Sequence, residues 1–296
     1  MVFASLGRVL AITALVGLGA AAPTKLTSRD VSADVLQQLN LFAEYSAASY
    51  CTSNINSPGD KLTCSAGNCP SVEKAETETL TEFSGSDEFG DVSGFFAVDS
   101  TNKLLVLAFR GSRSIDNWIA NLDFGLDKVE DLCAGCEAHS GFYKAWQVVA
   151  DDVTASVKSA TAEYKGYKLV FTGHSYGAAL ATFAATALRN DGYEIDLYSY
   201  GSPRLGNEAL ATYITGQGTG YRVTHTNDIV PRVPPSLLHF THWSPEYWIT
   251  SANGATVTSA DIKVVEGVGS RDGNAGEKIK SVSAHSWYFN SIFKCL

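Results

Sequence analysis

The chain has 296 residues, 45% of them hydrophobic and 18% charged, with 26 glycines, 8 prolines and 6 cysteines. This composition excludes a disordered or collagen-like chain, and the length suffices for a full core. The 22 basic and 31 acidic residues leave a net charge of −9, which argues against a nucleic-acid-binding protein, since that class presents a basic stripe to phosphate.

Arg8 is followed by an apolar run of 14 residues from Val9 to Ala22, closing on small residues before Pro23. This is the pattern of a secretory signal peptide over residues 1–22, and it is shorter than the ~20 residues that span a bilayer. Residues 23–29, ending in Arg29, read as a pro-segment, which leaves one domain over residues 30–296. Secretion changes the reading of the cysteines, because in an oxidising compartment six thiols are an even set available for three bridges. Cys64 and Cys69 enclose a small loop, Cys133 and Cys136 form a C-x-x-C, and Cys51 with Cys295 then ties the two ends of the domain. A zinc site at Cys133 and Cys136 would need two further ligands at short spacing.

Apolar residues at Val35, Leu36, Leu39, Phe42 and Ala43 recur at the helical period, so residues 32–48 are expected to form a helix. From Glu73 to Asp91 there are seven acidic residues and one lysine, read as a solvated surface stretch. Phe95–Val98 and Leu104–Phe109 are strand-like runs separated by turn-forming residues. Phe142, Trp146, Val149, Val153, Val157, Ala160 and Tyr164 follow in steps of three and four, the pattern of a long amphipathic helix. After a turn at Lys165 and Gly166 come a short strand, Leu169–Phe171, a helix of small residues reaching Arg189, and further strands at 196–200 and 221–225. Strands alternating with helices imply an α/β fold around a mostly parallel sheet.

Between the strand and the small-residue helix stands Gly173-His174-Ser175-Tyr176-Gly177. It matches G-x-S-x-G, the elbow that exposes a serine hydroxyl on a strained strand-to-helix turn. The pentapeptide alone is weak, and the flanking strand and alanine-rich helix are what make it specific. Ser175 is therefore the candidate nucleophile. A serine needs an imidazole to take its proton and a carboxylate to orient that imidazole. Asp228, just past the strand ending at His225, lies where sheet edges present functional groups, whereas Asp191 and Asp196 sit too close behind the elbow helix. His239, His242 and His285 follow it, and spacing does not choose among them. His139, His174 and His225 read as structural. The oxyanion requires preorganised N–H donors, each worth about 3–4 kcal/mol in the barrier. Tyr176 supplies one, and the loop Arg110-Gly111-Ser112 supplies the other. Next to that loop, Ile115, Trp118, Ile119 and Leu122 lie on one side of a short helix, with Asp116, Asn117, Asn121 and Asp123 on the other. Placed there, an amphipathic helix can cover the serine and turn its apolar face to a lipid surface, which makes it a lid.

Several spaced blocks carry a wider resemblance: R-G-S-R-S-I-D-N-W-I-A-N-L (110–122), F-T-G-H-S-Y-G-A-A-L-A-T (171–182), Y-R-V-T-H-T-N-D-I-V-P-R (221–232), S-P-E-Y-W-I (244–249) and A-H-S-W-Y-F (284–289). Over residues 30–296 the chain resembles the secreted filamentous-fungal class 3 triacylglycerol lipases. The resemblance implies an α/β-hydrolase fold, a mostly parallel central sheet flanked by helices with a short helical lid. It also implies a triad of Ser175, Asp228 and His285, oxyanion donors at Ser112 and Tyr176, a lid from Ser114 to Leu122, and the three cysteine pairs above. No metal or cofactor is implied. The expected substrate is a long-chain acylglycerol met by a monomer at a lipid–water interface. Feruloyl esterases and phospholipases share the machinery, but the Ile115 and Trp118 face speaks for a lipase. A lipid-binding protein without activity would show a broken triad. Three features depart from the family: Tyr176 stands where leucine is common, Ala178 where glycine is common, and the chain has no N-x-Ser/Thr sequon. Loss of residues 1–29 would remove Arg8, Lys25, Arg29 and no acid, so weaker attachment to anionic phospholipid than to neutral oil is expected.

Overall fold

The computed structural model describes residue 1, residues 31–87 and residues 90–296; the expected signal and pro-segments otherwise lie outside the described residues. In chain order come α1 (Ala33–Ala48), α2 (Pro70–Lys74), β1 (Thr77–Asp87), β2 (Gly90–Asp99), β3 (Leu104–Phe109) and α3 (Ile115–Ala120). They are followed by β4 (Leu126–Lys128), β5 (Glu137–His139), α4 (Ser140–Glu163), β6 (Lys168–His174), α5 (Tyr176–Asn190), β7 (Ile195–Tyr200), α6 (Glu208–Gly216) and β8 (Gly220–His225). The C-terminal part adds β9 (Glu246–Ile249), β10 (Ile262–Val265) and the short pair β11 (Trp287–Tyr288) and β12 (Asn290–Ser291).

Eight strands form one sheet in the order β1-β2-β3-β6-β7-β8-β9-β10. From β3 through β9 all neighbours are parallel, and an antiparallel strand pairing closes each edge. The parallel strands carry near-continuous apolar runs because both faces are covered. In β3, Leu105, Leu107 and Phe109 enter the apolar cluster shared with α4, α5 and α6, while Val106 and Ala108 enter the cluster shared with α1. Ala178, Ala179, Ala181, Ala184 and Ala185 of α5 are all fully buried, so their small side chains let that helix lie close on the sheet. Ser32 caps α1 by accepting from the Val35 N–H at 3.2 Å.

The acidic stretch departs from expectation. It contains the edge strand β1, in which Thr77, Thr79 and Phe83 face inward while Glu78 is exposed. Two of its carboxylates hold turns instead of only meeting water. Glu73 accepts from the Cys64 N–H at 2.9 Å, and Glu82 accepts from the N–H groups of Asn56 and Ser57 at 2.6 and 2.5 Å. Elements of three or four residues, β4, β5, β9 and β10, are too short to show a period. The nine-residue α6 also went unread, although Asn207 caps it by accepting from the Leu210 N–H at 3.0 Å.

The bridges join Cys51 to Cys295, Cys64 to Cys69 and Cys133 to Cys136, with Cα separations of 4.7, 5.8 and 5.4 Å. The first fastens the segment that follows α1 to Cys295, next to the last residue of the given sequence. Among the described residues, no helix is long and apolar enough to cross a membrane.

Candidate active site

Ser175 stands between β6 and α5 with φ 59° and ψ −127°, a left-handed conformation that a side chain adopts only at a cost of about 1–3 kcal/mol. The flanking glycines make the turn possible. A Cβ on Gly173 would lie 2.4 Å from the Gly177 carbonyl oxygen, and one on Gly177 would lie 2.2 Å from the Phe109 carbonyl oxygen. Both neighbours are backbone and cannot step aside. The Ser175 N–H donates to the Tyr200 carbonyl at 2.8 Å, which fixes the elbow to the neighbouring strand.

The parallel register of β3 and β6 pairs Phe109 with Gly173, so the loop after β3 runs beside the elbow. A Cβ on Gly111 would come within 3.0 Å of the Ser175 Cβ. Ser112 follows this close approach directly and Tyr176 follows Ser175, so both positions expected to supply oxyanion donors lie in segments next to the serine.

Asp228 and His285 are fully buried, and His285 Nδ1 lies 2.7 Å from Asp228 Oδ2. The same carboxylate oxygen accepts from the Tyr288 hydroxyl at 2.5 Å, and Oδ1 accepts from the Val230 N–H at 2.9 Å. Burial, followed by the charge of Asp228, pushes the Tyr288 phenol well above its ordinary range, so it remains a donor. The His285 ring packs against Gly201, directly after the Tyr200 carbonyl that holds Ser175. Ser175 Oγ and His285 Nε2 are both buried, and neither has a hydrogen-bond partner among the described residues. These are the two atoms that the triad reading assigns to proton transfer.

The other histidines are anchors. His174 Nδ1 pairs with the Tyr50 hydroxyl at 2.8 Å and Nε2 with the His285 carbonyl at 3.0 Å. His225 Nδ1 faces the Ala284 carbonyl at 2.8 Å. Both rings thus fasten the segment that carries His285. His242 Nε2 donates to the Pro231 carbonyl at 2.6 Å, and His239 sits exposed in a left-handed turn at φ 66°. Asp196 pairs with Lys168 at 2.5 Å, and Asp191 ends α5. Neither joins the site.

Sequence reasoning missed Tyr288, Asn274, Tyr50 and the buried pair Arg222–Glu246. Asn274 Nδ2 donates to the carbonyls of Asp228 and Thr226 at 2.9 and 3.1 Å. Its N–H donates to Glu246 Oε1 at 3.1 Å, and Glu246 Oε2 meets Arg222 Nη2 at 3.2 Å. Tyr288 lies three residues after His285, inside a block already noted; the rest come together only through the fold.

The helix α3 carries Ile115, Trp118 and Ile119 of the expected lid, with Ser114 at its N-cap and Leu122 past its C-cap Asn121. Trp118 and Leu122 pack against the core cluster that includes Phe142 and Tyr176, while no residue of α3 is itself fully buried. The Trp118 ring stacks on Phe142 at 5.9 Å, and Phe142 meets the Tyr176 ring edge-on at 5.9 Å. Ile115 and Ile119 are half-buried, and Asp116 and Asn117 face water. His139 Nε2 donates to the Asp123 carbonyl at 2.6 Å, tying down the chain just past Leu122.

Burial holds His139 below the ordinary histidine value and His174 and His242 well below it, helped at His174 by His285 and at His242 by Arg222 and Arg204. A depressed folded pKa means that the unfolded chain takes up protons as the pH falls through about 6.5. Their stabilisation is therefore complete above that value and lost below it. Glu44, whose carboxyl burial raises, takes up a proton in the folded state and offsets part of the effect. Each proton that the unfolded chain takes up in excess lowers stability by about 1.4 kcal/mol per pH unit. Urea unfolding at pH 7.5 and pH 5.0 should show this decline, and equal stability at the two values would contradict it.

A mostly parallel sheet wrapped by helices, with Ser175 in a sharp turn after β6, Asp228 after β8 and His285 near the end of the chain, is the arrangement of the α/β-hydrolase fold. The sequence matches the class 3 lipase family over residues 106–238 and the lipase 3 N-terminal region over residues 11–81. It is 49% identical over 287 residues to the secreted mono- and diacylglycerol lipase A of Penicillium cyclopium, covering 95% of this chain and 93% of that protein. It is 37% identical to the secreted mono- and diacylglycerol lipase 1 of Fusarium solani, covering 97% and 89%. The solved mono- and diacylglycerol lipase of Aspergillus oryzae superposes with a TM-score of 0.84 at 41% identity, covering 88% of this chain and 98% of that one. The chain belongs to the class 3 lipases, and it is a carboxylic ester hydrolase.

Proposed function

We propose that this chain is a secreted, monomeric lipase that hydrolyses long-chain acylglycerols at an oil–water interface through Ser175, Asp228 and His285. The observation that carries this reading is a buried elbow serine beside a buried Asp228–His285 pair, with Trp118 of α3 stacked on Phe142, which in turn meets the Tyr176 ring. His285 Nε2 takes the Ser175 proton, Oγ attacks the ester carbonyl, and the oxyanion rests on the N–H groups of Ser112 and Tyr176. The alcohol leaves with the proton from His285, and water activated by the same ring releases the acid. Opening α3 turns Ile115, Trp118 and Ile119 toward lipid, and the Tyr176 ring then forms part of the acyl pocket wall in place of the family's usual leucine.

The names of the Penicillium and Fusarium relatives favour partial glycerides as substrates, and their description as secreted agrees with residues 1–22 as a signal peptide. Rates on monoolein, diolein, triolein, phosphatidylcholine and methyl ferulate test this, with monoolein and diolein expected fastest. Preference for phosphatidylcholine or methyl ferulate would replace the lipase reading with the phospholipase or feruloyl esterase one. With a short-chain acylglycerol, the rate should climb steeply once concentration passes the solubility limit. Simple saturation through that limit would remove the lid from the mechanism.

A further inference from the structure

The loop after β8 borders a cavity of about 340 Å³ that the hydrolytic reading does not use. Arg204, Arg222, Arg232, Arg271 and Lys280 line it, and Glu246 is the one carboxylate among its lining residues. Glu246 is already spent: Oε2 meets Arg222, and Oε1 accepts from the Thr224 hydroxyl and the Asn274 N–H. No carboxylate pairs with Arg204, Arg232, Arg271 or Lys280 among the described residues.

Arg204 is buried, and its Nη1 donates to the carbonyls of Arg232 and Pro234 at 2.7 and 2.8 Å. Its Nε and Nη2 make no hydrogen bond within the described protein. Arg232 makes one long contact, from Nη1 to the Ile279 carbonyl at 3.3 Å. Burial and the neighbouring charges of Arg222, Arg232 and Arg271 push the Arg204 guanidinium down to about 10. In a chain with net charge −9, four cations left without carboxylates around one concavity repel one another at a cost to the fold. That cost is relieved by an anion. Guanidinium forks match tetrahedral oxyanions bidentately, and a cavity of this size takes a phosphate with a small substituent. At its edge Leu237 stands 90% exposed.

We propose that this cavity is a phosphate site, binding inorganic phosphate or the phosphate of a monoester or lipid headgroup on Arg204 and Arg232, with Arg271 and Lys280 closing over it. The site adjoins the candidate acid without touching it: Asn274 reaches from the cavity wall to the Asp228 carbonyl, and Ser281, next to Lys280, pairs with Asp228. An anion that draws these segments together stiffens the loop that holds Asp228.

Inorganic phosphate should raise Tm saturably, while chloride at equal ionic strength should not, and the ³¹P resonance of phosphate should broaden with the protein. Arg271 and Lys280 are exposed, so the variant Arg271→Gln with Lys280→Gln retains the fold and its hydrolysis of monoolein. It should bind phosphate at least ~10-fold more weakly. Equal responses to chloride and phosphate, absence of ³¹P broadening, or undiminished binding in the variant would each overturn the proposal. Sedimentation with phosphatidic acid vesicles against phosphatidylcholine vesicles identifies the source. Retention on the acidic vesicles that the double variant loses supports a headgroup, and binding of inorganic phosphate and glycerol phosphate without such retention supports a soluble ligand.

Discussion

Replacing Ser175 by alanine is expected to lower ester hydrolysis by roughly 10⁴–10⁶-fold while leaving the melting temperature near that of the parent protein. The hydroxyl is buried and has no hydrogen-bond partner among the described residues, so its loss removes no structural bond there. The turn is held by the backbone, through the Ser175 N–H on the Tyr200 carbonyl and the tight passage of Gly173 and Gly177. A variant that folds and still turns over monoolein at the parental rate would displace Ser175 from the mechanism. Residual turnover well above the uncatalysed reaction is compatible with it, since the proposed donors at Ser112 and Tyr176 remain.

The second large effect is expected at Asp228. Changing it to asparagine keeps the shape of the side chain but turns one acceptor oxygen into a donor. As a carboxylate, Asp228 Oδ2 accepts from both His285 Nδ1 and the Tyr288 hydroxyl. An amide NH₂ at that place would donate to His285 Nδ1 and force the ring proton onto Nε2, the nitrogen that must accept from Ser175. The tautomer is then wrong for general-base catalysis, and kcat should fall by about 10⁴-fold. If the oxygen instead stays toward His285, the amide nitrogen meets the Val230 N–H, which needs an acceptor. Either way one buried donor loses its partner, so a stability loss of about 1–3 kcal/mol accompanies the kinetic one. The rate should recover only weakly as pH rises, because the defect is the position of a proton and not its titration. A variant with kcat within tenfold of the parent would assign the orienting role elsewhere.

Much of this site could be read along the chain because its parts are local. The elbow occupies five consecutive residues, and its glycines, preceding strand and small-residue helix all lie within one stretch. The lid face follows from a period within eight residues, and the Cys64–Cys69 and Cys133–Cys136 bridges close within six. Helices α1, α4 and α5 announced themselves through long apolar periods, whereas β4, β9 and β10 are too short to hold one. The edge strand β1 was concealed because its outward positions are acidic and its inward ones are mostly threonine.

The residues taken alone left His239, His242 and His285 equivalent, and resemblance to a family, not spacing, selected among them. Side-chain chemistry is the same in all three; their surroundings differ. His239 is exposed in a turn, His242 spends its N–H on the Pro231 carbonyl, and His285 meets Asp228 across 57 positions of chain. Tyr50 belongs with His174 for the same reason, as do the five cations of the cavity beside the loop after β8, drawn from residues 204 to 280. Local sequence specifies what can be made by hydrogen bonds and periods a few residues long: the elbow, the lid helix, the small loops and the apolar faces. Which distant groups share one buried volume depends on the closure of long loops around the sheet, and that was decided by tertiary packing.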